Sequence, residues 1–115
     1  MEDFLKLNLY PQLTRKIKYL IKKISPQDPD FQKDFQKIKE AIKILEEEIR
    51  NYSSKLRYSP QYKEELENSK KKYEKCLMLT LKWLKERQEW LNEKRKLARE
   101  KRKLAREKRR NKTIL

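Results

Sequence analysis

The chain has 115 residues, of which 33 are Lys or Arg and 18 are Asp or Glu, so its formal net charge at pH 7 is +15. It contains no His, no Gly and a single Cys, which excludes Cys/His zinc sites, nucleophile–histidine pairs and glycine-rich phosphate loops. We therefore expect a binding protein with no cofactor and no metal, rather than an enzyme.

The composition predicts an all-α fold in one domain, because Lys, Glu, Leu and Ile are abundant and Gly is absent. No apolar stretch approaches the roughly 20 residues that span a bilayer. The start Met1-Glu2-Asp3 lacks the basic and apolar regions of a signal peptide. We expect an intracellular protein with no membrane partner; cytoplasm, nucleoid and nucleus are equally compatible. Cys76 lies in an apolar run, which favours a buried structural thiol over a reactive one.

The first helix is predicted over residues 11–24, where Leu13, Ile17 and Ile21 fall on one face. It ends at Ser25-Pro26-Gln27, and a similar Ser59-Pro60-Gln61 follows later in the chain. Ser before Pro is typical of a helix N-cap followed by the first helical position. Residues 1–10 are expected to form a short turn or helix folded onto the core.

The second helix is predicted to begin at Asp28 or Pro29 and to end at Leu56. Its apolar residues alternate at spacings of four and three and form a coiled-coil seam: Phe31, Phe35, Ile38, Ile42, Leu45, Ile49, Tyr52 and Leu56. This seam would either pack within the chain or join copies of it into a homo-oligomer. The acidic groups Glu46–Glu48 and Glu64–Glu65 are expected on solvated helix faces.

The third helix is predicted to begin at Pro60, antiparallel to the second, with no breaker before Asn111. The second helix can cover it only as far as about residue 90. The first helix would fold back along the second, so the third should be most apolar around residues 76–84. The sequence thus predicts a three-helix bundle or long helical hairpin over residues 1–92. A protruding basic helix over residues 93–115, named here the basic extension, would follow it.

The basic extension repeats one heptad, Glu93–Arg99, without change at Glu100–Arg106 and begins a third copy at Glu107. Residues 93–112 have a net charge of +9, which leaves +6 for residues 1–92. A segment with this much charge cannot bury enough apolar surface to fold on itself, and we expect it to bind a polyanion. The candidate phosphate contacts are Lys94, Arg95, Lys96, Arg99, Lys101, Arg102, Lys103, Arg106, Lys108, Arg109, Arg110 and Lys112.

Trp83 and Trp90 lie seven residues apart on one face of the third helix. Such residues more often anchor a core or an interface than stack on bases. Trp90 lies where the bundle should end and is the better candidate for base stacking or a partner contact.

These features predict an accessory or architectural protein that binds the phosphate backbone of DNA or RNA, as a subunit of a larger nucleoprotein complex. The alternative is a helical adaptor or oligomerisation module whose basic helix docks on an acidic protein partner. A third interpretation is a solvated tail that only aids solubility. A membrane-surface role is weakly indicated, because the repeat offers only two Leu and two Ala.

Overall fold

The computed structural model describes residues 4–114, with side chains described up to residue 110. Within this range the chain forms three helices: α1, Pro11–Ile24; α2, Phe31–Leu56; and α3, Lys63–Ile114. Short 3₁₀ turns lie at Ser25–Gln27 and Pro60–Tyr62. The long C-terminal helix packs against the two shorter ones, so the predicted all-α fold is confirmed.

The two shorter helices run in opposite directions along α3. The hydroxyl of Tyr10 donates a hydrogen bond to the carbonyl of Lys70 (3.1 Å), and Asp28 contacts Arg87, so α1 runs parallel to α3. The turn at residues 57–62 makes α2 antiparallel to α3. The shared core consists of Ile17, Ile21, Ile24, Phe31, Phe35, Ile42, Ile49, Leu66, Tyr73, Leu77, Leu81, Leu84 and Leu91, with Phe4 and Leu5 at one side.

The seam of α2 packs inside the chain. Phe31 and Phe35 are buried and stack on each other with ring centroids 5.1 Å apart. Trp83 of α3 lies 5.9 Å from the Phe35 ring, in a stacked arrangement. The contact with α3 therefore occupies the side of the seam that a second copy would need.

The predicted start of the second helix is wrong by two or three residues, since α2 begins at Phe31. Asp28 has an extended backbone (φ −127°, ψ 103°), and its carboxylate accepts hydrogen bonds from the Asp30 N–H and from Arg87. Asp28 thus shapes a turn and binds a distant side chain instead of capping a helix directly. The third helix begins at Lys63, after the 3₁₀ turn that contains Pro60.

The prediction that Glu46 is solvated is also wrong: its side chain is only 2% exposed. The segment before α1 folds over the bundle, as expected, but as irregular chain. One Glu46 carboxylate oxygen accepts a hydrogen bond from the N–H of Leu5 (2.6 Å), and the other accepts one from Lys6 (3.2 Å). Leu5 occupies the left-handed region (φ 63°), which is costly for a residue with a branched side chain. The hydrogen bonds to Glu46 and the burial of Leu5 offset that cost.

Replacing Glu46 by Ala should lower the free energy of unfolding by about 2 kcal/mol, because a buried backbone N–H loses its acceptor. Urea unfolding followed by circular dichroism measures this value. The control is Glu47→Ala, whose side chain is exposed one residue away, and it should change stability by less than about 0.5 kcal/mol. Equal effects of the two substitutions would contradict the role assigned to Glu46.

Candidate nucleic-acid interface

The basic extension continues α3 without a break beyond the end of the bundle. Among the residues of α3 whose side chains are described, Leu91 is the last buried one, and every residue from Asn92 to Arg110 is exposed. At 1.5 Å per residue the 52 residues of α3 are about 78 Å long. The described chain reaches 86 Å along its longest axis, so the extension accounts for much of its length.

The arginines of the extension share one side of the helix. At about 100° per residue, they all fall within a sector of roughly 100°; they are Arg95, Arg99, Arg102, Arg106, Arg109 and Arg110. Guanidinium groups can bind phosphate oxygens in pairs, whereas an ammonium group acts as a point charge. The helix therefore presents one continuous surface of bidentate anion donors, named here the arginine face.

The opposite side of the extension has a different chemistry. Leu97 and Leu104 are 56% and 58% exposed, and Glu93, Glu100 and Glu107 lie beside them on the helix. The lysines occupy the flanks between the two sides. The charge of the repeat was predicted from the sequence but this separation was not, although it follows from the seven-residue period: the positions of Arg repeat nearly in phase with the helical turn.

Trp90 lies at the base of the extension, between two cations. Its ring is within 4.6 Å of the Arg87 guanidinium carbon and 4.1 Å of the Lys94 ammonium nitrogen. The side chain is still 43% exposed. These cation–π contacts hold the ring at the point where the bundle ends. A role for Trp90 in base stacking or partner contact remains a prediction.

Arg87 connects the lower end of the basic extension to the turn between α1 and α2. Its Nε donates a hydrogen bond to the buried Asp28 carboxylate (2.6 Å), and its Nη2 lies 3.0 Å from Asp34. The hydrogen bond from Arg87 lowers the pKa of the Asp28 carboxyl below its usual value, despite the opposing effect of burial. Arg95 also donates a hydrogen bond to Gln27. The first turn of the extension is therefore held in a defined direction by the body.

The predicted site residues thus differ in their surroundings. Lys94 and Arg95 lie beside the body and have partners within it, whereas the basic residues from Lys96 to Arg110 are exposed along the extension. The side chain of Lys112 lies outside the described residues. Trp83, by contrast, is partly buried and packs against the core.

Two other features that could carry chemistry are the thiol of Cys76 and groups of acidic side chains. Cys76 is half-buried, and burial raises the pKa of its thiol, which keeps it protonated at neutral pH. Within the described residues, no three His, Cys, Asp or Glu side chains are grouped to hold a metal ion. No helix in that range has a segment with the length and apolar character needed to cross a bilayer.

Comparisons with known proteins add no family to these observations. No family model, curated protein or solved structure matches the chain. The geometry and charge of the extension are therefore the observations that bear on function.

Replacing Asp28 by Asn should remove part of the acid sensitivity of the fold. Because the pKa of Asp28 is lowered in the folded state, its pair with Arg87 stabilises the protein above the unfolded pKa of about 3.9. That stability is lost as the pH falls through the folded pKa. We expect the variant to be about 2 kcal/mol less stable at neutral pH, and to lose less stability than the parent as the pH falls below about 4.

Urea unfolding at a series of pH values measures both effects. Asp30→Asn is the control, since it removes the same charge from an exposed residue two positions away. A parent and an Asp28→Asn variant with the same stability and the same pH profile would show that the Arg87 pair has no energetic role.

Proposed function

We propose that the protein binds the phosphate backbone of a nucleic acid through the arginine face of its basic extension. The observation that supports this function is the position of that face. It lies on the part of α3 that extends beyond the bundle, where every residue from 92 to 110 is exposed. Contacts from this face to phosphates would release counterions from the nucleic acid.

The dimensions of the arginine face suit a phosphate backbone. From Arg95 to Arg110 it extends about 22 Å along the helix. A helix of this kind fits a groove about 12 Å wide, such as the major groove of B-DNA, and can also lie along a single strand. Arginine contacts to phosphate do not distinguish one base from another, so we expect binding with little sequence preference.

The base of the extension supports an architectural role. Arg87, Trp90 and Arg95 connect the extension to the body, so a bound nucleic acid would lie in a defined direction from the bundle. A subunit with such a surface would position nucleic acid for other components of a nucleoprotein complex. The alternative of a helix that docks on an acidic protein uses the same charges, and the experiment below separates the two.

Binding of short DNA and RNA oligonucleotides should weaken linearly as salt rises on logarithmic axes, with a slope that reports several phosphates. The triple variant Arg99→Gln, Arg102→Gln and Arg106→Gln should reduce that slope by about 2 to 3, because each lost phosphate contact contributes roughly 0.7 to 0.9. Fluorescence anisotropy with labelled oligonucleotides at several salt concentrations measures the slope.

The matched control is Lys96→Gln, Lys101→Gln and Lys108→Gln, which removes the same charge outside the arginine face. The affinity of this lysine variant for the oligonucleotide should be at least about threefold higher than that of the arginine variant, because Lys contacts phosphate without the paired geometry. Equal losses would show that general charge, and not the arginine face, governs binding. A slope near zero in the parent protein would exclude nucleic-acid binding and leave the acidic-protein alternative.

A further inference from the structure

An apolar groove runs between α2 and α3 on the body of the protein, away from the basic extension. It is lined by Ile38 and Ala41 from α2 and by Cys76, Leu79, Thr80 and Trp83 from α3. Leu79 is 58% exposed, while Ile38, Cys76 and Trp83 are half-buried in its floor and walls. The Thr80 hydroxyl donates a hydrogen bond to the Cys76 carbonyl (2.7 Å), so it offers the groove no unpaired donor. The surface is thus almost wholly apolar and open.

The position of the groove fits a further helix. α1 packs along α3 on one side, and the α2–α3 groove lies on another side of α3, where no third helix of the described chain covers it. The groove extends from Lys72 to Trp83, about 16 Å along α3, or three helical turns. Two adjacent helices offer ridges and grooves that accept a third helix more readily than an extended strand.

The charges around the groove indicate the kind of helix. Lys72 and Lys75 lie on its rim and are exposed. Among the described residues, those that line the groove include no carboxylate. Like charges across an interface are unfavourable, so this rim favours a partner with acidic residues beside its apolar face. A second copy of the chain fits poorly, because it would bring another net charge of +15.

We propose that the α2–α3 groove is a docking site for an amphipathic helix of another protein, with an apolar face on Leu79 and Trp83 and acidic residues toward Lys72 and Lys75. This site is separate from the arginine face and does not depend on nucleic-acid binding. A protein with both sites joins a protein partner at its body to a polyanion at its extension.

The test uses the full chain and a synthetic helix of about 21 residues, which is three heptads with Leu at the a and d positions and Glu elsewhere. A second peptide has Lys in place of Glu. The protein carries Trp90→Phe, so that its tryptophan fluorescence reports only Trp83 in the groove. At physiological salt we expect the acidic peptide to change this fluorescence in a saturable way, and the basic peptide to bind at least about tenfold more weakly.

Leu79 and Met78 provide a matched pair of substitutions. They are neighbours of nearly equal exposure, 58% and 56%, but Leu79 lines the α2–α3 groove and Met78 lines the surface beside α1. Leu79→Glu should weaken peptide binding by about tenfold or more, because burial of one Leu side chain contributes at least about that factor to affinity. Met78→Glu should change it by less than about twofold. Should Leu79→Glu unfold in a thermal scan, the double variant Lys72→Glu and Lys75→Glu replaces it, with the same expected loss.

Several results would overturn the proposal. The acidic peptide would be attracted to the basic extension alone if it bound without changing Trp83 fluorescence and bound the Leu79→Glu variant as tightly as the parent protein. Equal binding of both peptides would remove the charge argument. Sedimentation showing that the free protein dimerises, with the dimer lost in Leu79→Glu, would assign the groove to a second copy. None of these results bears on the salt dependence of oligonucleotide binding, which tests the arginine face separately.

Discussion

The organisation of this protein depends on a difference in helix length. α3 has 52 residues, whereas α1 has 14 and α2 has 26, so the shorter helices can cover only its first half. The covered half has a core from Leu66 to Leu91, and the uncovered half has only the charged heptads. A helix without neighbours gains nothing from tertiary burial, so the extension needs favourable intrahelical pairs and strong helix formers. Glu, Lys, Arg, Leu and Ala supply both.

The contacts at the end of the bundle give the basic extension a defined direction. Arg87 joins the buried Asp28, the exposed Asp34 and the rings of Trp83 and Trp90. A salt bridge on the surface would add little, but Asp28 is only 4% exposed, so its charge needs the Arg87 partner. The arginine face therefore has a defined orientation relative to the α2–α3 groove.

Much of the fold was predictable because it is periodic. The 4–3 spacing of Phe31, Phe35, Ile42 and Ile49 identified α2 and its buried side, and the boundaries of α1 agree with the prediction. For the candidate site, the repeat and its charge identified the basic residues. Their separation into an arginine face follows from the same seven-residue period when it is placed on a continuous helix, which α3 is.

Composition and periodicity were enough to predict the helical class, the order and approximate lengths of the helices, and the concentration of positive charge at one end, since each is a local property. The environments of Glu46 and Asp28 depend instead on how the helices pack. Glu46 is buried where the N–H groups of Leu5 and Lys6, which precede it by 41 and 40 positions, donate hydrogen bonds to its carboxylate. The Asp28 carboxylate is buried with a partner because Arg87, 59 positions later, donates a hydrogen bond to it. A local pattern cannot contain such partners, because they become neighbours only when the helices pack.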